Sequence, residues 1–301
     1  MKKKKSVILC VDTGIDDVVG IAIALNLKQL DVKLLVCDQG NTTIKNTTTN
    51  TLGVLDILSA PEIPVVKGCL PENGRFICKA HGENGLAEYS FDNITRQAIN
   101  LSAEDAIYKI AKENNSVEII QLGPSTSTAY ALKKYPDLNN YISRIIVMGG
   151  SIDEKLDTKN PYLEFNISSD PESAEIVLNS GIDILMVPSE MGLIGKLDYF
   201  DIYKTKNMNS TGLFIEKIYR GHKHRRLKSG IATCDAAAVV AAVYPEIFEI
   251  KPAYGFVKYF HSVDTGVCLF DYNKKPNLQV CTNINIKKFK KVYFKVIKKL
   301  P

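Results

Sequence analysis

Three carboxylates, Asp12, Asp16 and Asp17, crowd around Gly14 directly after the apolar run Ser6–Val11. That run reads as a buried parallel strand and Gly14 permits a tight turn. Ile15, Val18, Ile21, Ala22 and Ala24 then follow helical spacing. Asp12 is thereby placed at the carboxyl end of a strand, with Asp16 and Asp17 in the first turn of the next helix. Open α/β sheets take their ligands at that edge. Three converging acids there suit a hard cation such as Ca²⁺ or Mg²⁺, which prefers oxygen ligands. Complementing the helix dipole accounts for Asp16 and Asp17. It does not account for Asp12.

Other strand ends carry polar or small residues of the same kind. Cys37-Asp38-Gln39-Gly40-Asn41 closes a second apolar run, Gln121-Leu122-Gly123-Pro124-Ser125-Thr126 a third and Met148-Gly149-Gly150 a fourth. Glycine after a strand is ordinary turn chemistry, so each is weak alone. Together they set Asp12, Asn41, the Leu122 carbonyl and Met148 on one sheet edge. Glu164-Phe165-Asn166 adds an acid and an amide, and Thr233-Cys234-Asp235 puts another carboxylate at the start of an alanine-rich helix.

The elements that must position these groups alternate. Ser6–Val11, Val32–Cys37, Val117–Leu122, Ile145–Met148 and Ile184–Val187 read as strands. Helical patterns lie near Asp16–Leu27, Thr42–Leu58, Ala103–Glu113, Thr126–Lys134 and Pro171–Asn179, then Thr211–Arg226 and Asp235–Val243. The alternation predicts βαβ units in an α/β fold: an open, mostly parallel central sheet flanked by helices. Short strands at Tyr254–Phe260, Val267–Phe270 and Leu278–Cys281 add small β elements near the C-terminus. Gly68–Asn100 lacks periodicity and reads as a functional loop region. No linker divides the chain, so residues 1–301 are read as a single domain.

The chain has 301 residues and a net charge of +5, drawn mainly from lysines at its two ends. Terminal lysine runs are solvated faces more often than nucleic-acid sites, and the C-terminal one alternates with Phe289, Val292, Phe294 and Val296 as an edge strand or helix face would. No nucleic-acid partner is expected. Seven cysteines without paired spacing point to free thiols in a reducing compartment, and no apolar segment is long enough to span a bilayer. The expectation is a cytoplasmic protein with no membrane partner.

At this point the chain resembles the nucleoside hydrolase family (inosine-uridine preferring nucleoside N-ribohydrolase) over nearly its whole length. That family opens on D-x-D-x-G-x-D-D, of which Asp12, Gly14, Asp16 and Asp17 are present. Further matches follow in order: Gly40-Asn41 with Asn50, His81-Gly82 with Gly85-Leu86, Gly123-Pro124 with Thr126, and Met148-Gly149-Gly150. Glu164-Phe165-Asn166 with Asp170-Pro171-Glu172, then Asp235, then Thr265-Gly266 with Asp271 complete the series.

The resemblance implies Ca²⁺-dependent hydrolysis of the N-glycosidic bond of ribonucleosides to free nucleobase and ribose. It implies a Ca²⁺ site formed by Asp12, Asp17, Asp235 and the main-chain carbonyl of Leu122. Asp16, Asn166 and Asp235 would hold the ribose 2′- and 3′-hydroxyls, and Glu164 would reach the 5′-hydroxyl. Asn41 and Met148 would line the sugar pocket, with His81 near the 5′ end or the base. Asp12 would act as general base toward a water whose pKa the cation lowers. Attack at C1′ passes through oxocarbenium character. A homodimer or homotetramer acting in purine or pyrimidine salvage is expected on the same ground.

The departures matter as much. Cys10 replaces the family's first acid and Thr13 its turn proline. Thr158 stands where an asparagine is expected, with Asn160 as a nearby substitute, and the Gly-Pro-Leu-Thr-Asn run reads Gly123-Pro124-Ser125-Thr126-Ser127. Cys234 occupies the place of a histidine that helps protonate the leaving base, as in a recognised subgroup. A thiol is a weak donor, so leaving-group activation must differ. Cys234 could equally be a small packing residue. Tyr219, His222 and Arg226 lie where relatives carry capping residues that stack on or protonate the base; a solvated basic helix face is the simpler reading of that segment.

Two competitors remain. A metal-dependent phosphatase wants an acidic nucleophile two residues before its second acid, where Cys10 stands, and leaves Glu164–Asn166 unexplained. A catalytically silent nucleoside- or ribose-binding protein is motivated by Cys234 and Thr158.

Overall fold

The computed structural model describes residues 4–72, 77–152, 163–221, 230–260 and 265–301. The chain runs β1 (Lys5–Val11), α1 (Ile15–Asn26), β2 (Leu30–Cys37), α2 (Ile44–Ile57), β3 (Val65–Lys67), α3 (Ala103–Asn114), β4 (Val117–Gln121), α4 (Thr126–Lys134) and β5 (Ile142–Met148). It continues with α5 (Phe165–Ser169), α6 (Pro171–Leu178), β6 (Ile184–Val187), α7 (Ser189–Ile194), α8 (Tyr199–Lys206), α9 (Ser210–Gly221) and α10 (Cys234–Val243). β7 (Phe248–Phe260), β8 (Thr265–Asp271), β9 (Leu278–Ile284) and α11 (Ile286–Ile297) follow.

The strands form one nine-stranded sheet in the order β3-β2-β1-β4-β5-β6-β9-β7-β8. It is parallel from β3 through β9, and β7 pairs antiparallel with both β9 and β8. The late strands, expected as small β elements near the C-terminus, extend the main sheet. Successive strands build outward from β1 to β3 on one side, then return to β4 and build outward on the other. β1 and β4 thus flank the point where the strand order reverses, and the crevice at their carboxyl ends is where such sheets take ligands. The Leu122 N–H donates to the Cys10 carbonyl at 2.8 Å, which brings the end of β4 level with the end of β1.

Both sheet faces are covered. On one, β1 side chains pack with α1, α9, α10 and α11; on the other, α3, α4 and α6 cover Ile8, Ile119 and Ile145. In α1 every residue from Ile15 to Ala24 except Asp16 is buried, the pattern of a helix enclosed on all sides. Gly20 makes this closeness possible: a Cβ there would lie 2.9 Å from Leu122 Cδ1 and 3.0 Å from Asp235 Cβ. The small residue lets the start of α10 and the end of β4 both approach α1 closely at this point. Asp235 and Leu122 reach the Asp12 turn for that reason.

Candidate active site

The acidic turn is ordered by its own backbone. Asp17, in the first turn of α1, folds back to accept the Asp12 N–H at 3.2 Å on Oδ1 and the Gly14 N–H at 2.9 Å on Oδ2. Asn41, beyond β2, donates its backbone N–H to Asp12 Oδ2 at 2.7 Å and its side-chain amide to Asp17 Oδ2 at 3.1 Å. Gly40 and Gly123 close on the Asp12 carboxylate from the neighbouring strand ends. A Cβ on Gly123 would lie 2.8 Å from Oδ1, and one on Gly40 would overlap Oδ2.

One carboxylate oxygen each from Asp16, Asp17 and Asp235 lie within 4.8 Å of one another. This triad differs from the set the resemblance implied, since it holds Asp16 where Asp12 was expected. Burial raises Asp17 to about 7, with the Asp16 charge adding to the effect. Asp12 and Asp235 are pushed well above the usual carboxylate range, chiefly by burial and then by the other acids. Among the described residues, no lysine or arginine lines the cavity to offset these charges. Asp16 Oδ1 is buried without a hydrogen-bond partner. Several buried, mutually repelling oxygens with no protein cation fit a hard divalent ion.

Across the cavity, Glu164 caps α5. Its carboxylate accepts the N–H groups of Asn166 and Ile167 at 3.0 Å each and of Gly150 at 3.1 Å, yet burial still lifts it to about 7. Asn166 Nδ2 donates to the Leu122 carbonyl at 2.5 Å and the Met148 carbonyl at 3.2 Å. The ends of β4 and β5 are joined through that amide, and its Oδ1 remains as an acceptor.

His81 comes from a 3-10 turn over Lys79–His81. Its Nδ1 accepts the Ile15 N–H at 3.3 Å and lies 3.6 Å from Asp16 Oδ1. His81 is thereby tied both to the start of α1 and to the Asp16 carboxylate. Cys234, the first residue of α10, points its Sγ toward the Ser189 carbonyl at 3.8 Å. Gly192 of α7 backs it so closely that a Cβ there would lie 2.5 Å from that sulfur.

The cavity enclosed is about 190 Å³. Its walls bring together Asp12, Asp16, Asn41, His81, Leu122, Met148, Glu164, Asn166, Cys234 and Asp235, while Asp17 stands behind them, fully buried. Tyr219 does not join this wall. It is 1 % exposed and packs in the core, because α9 turns it inward alongside Phe214, Ile215 and Ile218. Asn160, His222 and Arg226 lie outside the described residues, as do Thr158 and His261. Phe165, between Glu164 and Asn166, also lines the cavity, as do Cys78, Leu163 and Ser189, which were not singled out from sequence. Ser189 follows β6 through Pro188, so the strand-end rule could have found it; Cys78 sits in an aperiodic stretch that offered no signal.

Fold and cavity together define an α/β protein with an acidic pocket at the carboxyl edge of its sheet. Residues 7–291 match the family described as inosine-uridine preferring nucleoside hydrolase. The non-specific ribonucleoside hydrolase RihC of Escherichia coli O157:H7 is 31 % identical over 98 % of this chain and 99 % of its own. Two solved structures superpose with a TM-score of 0.89 at 26 % identity: a plant nucleoside hydrolase, covering 98 % of this chain and 99 % of its own, and the purine-preferring ribonucleoside hydrolase of Gardnerella vaginalis, covering 98 % of each. The chain belongs to the inosine-uridine preferring nucleoside hydrolase family and is an enzyme that hydrolyses N-glycosidic bonds.

Proposed function

We propose that the enzyme cleaves ribonucleosides to ribose and free nucleobase with Ca²⁺ bound in the acidic crevice. The observation that carries this reading is the Asp16–Asp17–Asp235 cluster at the mouth of β1 and β4. Asp16, Asp17 and Asp235 offer the converging oxygens, and Asp12 and the Leu122 carbonyl, which line the same crevice, would complete the ion's ligand shell. Bound there, Ca²⁺ would supply positive charge that lowers the pKa of a nearby water.

The chain's own groups do the rest. Asp12 takes the proton of the attacking water; its Oδ2 is engaged by Asn41, which leaves Oδ1 to receive it. Asp16 and Asp235 accept hydrogen bonds from the 2′- and 3′-hydroxyls. Asn166 accepts one at Oδ1, since its amide nitrogen is occupied by two carbonyls. Glu164 is fixed by three backbone donors and presents its remaining lone pairs to the 5′-hydroxyl. Asn41, His81 and Met148 complete the sugar walls. These carboxylates stabilise the positive charge that builds on the ribosyl ring as the C1′–N bond breaks.

The departing base leaves toward Cys234. Cys234, a weak thiol donor, supports reading this chain within the subgroup that replaces the family's active-site histidine by cysteine. All seven cysteines are free thiols, and no helix among the described residues is long and apolar enough to cross a membrane. The free thiols fit a reducing, cytoplasmic compartment, and we read the enzyme as a homodimer or homotetramer acting in nucleoside salvage. Incubation of purified protein with purine and pyrimidine ribonucleosides tests the function. Ribose release supports it, and binding without release would leave a silent nucleoside-binding protein in its place.

A further inference from the structure

Asp38 follows the last residue of β2, is fully buried, and donates its N–H to the Val11 carbonyl at 2.8 Å. Its Oδ1 accepts a hydrogen bond from Ser127 Oγ near the start of α4. Ser127 Oγ in turn accepts the Cys69 N–H at 2.8 Å. One hydroxyl, donor and acceptor together, so ties three segments distant in sequence: the end of β2, the loop after β3 and the start of α4. The fit is tight on the other side too, since a Cβ on Gly68 would overlap Asp38 Oδ1.

The second oxygen, Oδ2, is buried and takes no part in that link. Burial holds the carboxyl up at about 7, although the Ser127 and Gln121 side chains favour its charged form. Nothing in the proposed chemistry uses this group directly. Its place in the chain suggests its use: Gly40 and Asn41 come next after Gln39, and both close on the Asp12 carboxylate.

We propose that Asp38 is a positioning residue for N-glycosidic hydrolysis. Through Ser127 and Cys69 it pins the end of β2, so that Gly40 and Asn41 hold the Asp12 carboxylate in its reacting orientation. The inference rests on Asp12 acting as the base.

The test compares kcat, KM and melting temperature of the Ca²⁺-loaded wild type with Asp38→Asn, Asp38→Ala, Ser127→Ala, the Asp38→Ala/Ser127→Ala double variant and Asp12→Ala. Asp38→Ala and Ser127→Ala should each lower kcat about tenfold to a hundredfold, with KM changed less than about threefold, because a displaced base costs rate rather than binding. The double variant should be no worse than the poorer single one, because both break the same link. Asp38→Asn keeps an oxygen that accepts from Ser127 and should stay within about threefold of wild type. Should Asp38→Ala not fold, Ser127→Ala and Asp38→Asn carry the comparison. Wild-type kcat in Ser127→Ala alongside an inactive Asp12→Ala would overturn the role of Asp38 alone. So would losses that multiply in the double variant, or a loss confined to KM. Normal turnover by Asp12→Ala would overturn the assignment of the base, and this inference with it.

Discussion

Asn41 donates its backbone N–H to Asp12 Oδ2 at 2.7 Å across 29 residues of sequence. One oxygen of a fully buried carboxylate is therefore fixed by a neighbouring strand end, and the other faces the cavity. The contact exists because Gly40, next in the chain, has no side chain to keep the loop away from Asp12.

Gly40→Ala tests that closeness. The added Cβ would overlap Asp12 Oδ2 and lie 2.8 Å from Asp12 Cγ, so the carboxylate or the loop must move. A displacement of this kind should lower kcat about a hundredfold. Circular dichroism should show the fold retained, and unchanged kcat would mean that Asp12 needs no such clamp.

The acidic crevice predicts how stability depends on pH. Asp17 and Glu164 titrate at about 7 in the fold, and Asp12 and Asp235 are raised as well. Unfolded carboxylates titrate near ~4, so through that interval the folded state binds more protons than the unfolded one. Stability of the metal-free protein should accordingly be greatest at the acidic end of this window. It should fall as pH rises from ~4 toward ~7. Millimolar Ca²⁺ should raise the melting temperature most at the alkaline end, where the acids are ionised. Melting curves with chelator and with Ca²⁺ at several pH values check both trends, and a metal-free protein that gains stability across this window would contradict the electrostatics.

Cys234 lines the cavity beside Asp235, with its sulfur near the Ser189 carbonyl. A p-nitrophenyl riboside needs no protonation of its leaving group. Cys234→Ala should spare turnover of that substrate while lowering turnover of a natural nucleoside by about tenfold to a thousandfold. Equal losses on both would assign Cys234 to packing or ribose placement instead.

Much of the site was legible because its members sit at local landmarks. Asp12 ends a strand, Asp16, Asp17 and Asp235 start helices, and Glu164 caps one. What joins them was not legible. The reach of His81 to Ile15 and of Asn166 to Leu122 depends on how distant segments pack, and no periodicity encodes that. The lysine-rich C-terminus read equally as edge strand or helix. It is α11, because Phe289, Tyr293, Val296 and Ile297 fall on one buried face. β7 runs from Phe248, earlier than its pattern suggested, since pairing with β9 holds Lys251 and Pro252 in extended form despite their low strand preference. Within Gly68–Asn100, residues 84–89 turn on Asn84, whose Oδ1 accepts the N–H groups of Leu86 and Glu88 while its Nδ2 donates to the Tyr89 carbonyl. Such side-chain-built turns leave no hydrophobic period to read.

The central claim is that ribonucleoside hydrolysis here depends on a divalent ion held by the carboxylates around Asp12. Ribose release from a ribonucleoside by the purified enzyme, measured as isolated, after exhaustive chelation and after Ca²⁺ is restored, tests it most directly. The account predicts release that chelation abolishes and Ca²⁺ recovers; undiminished release from the fully chelated enzyme would contradict it.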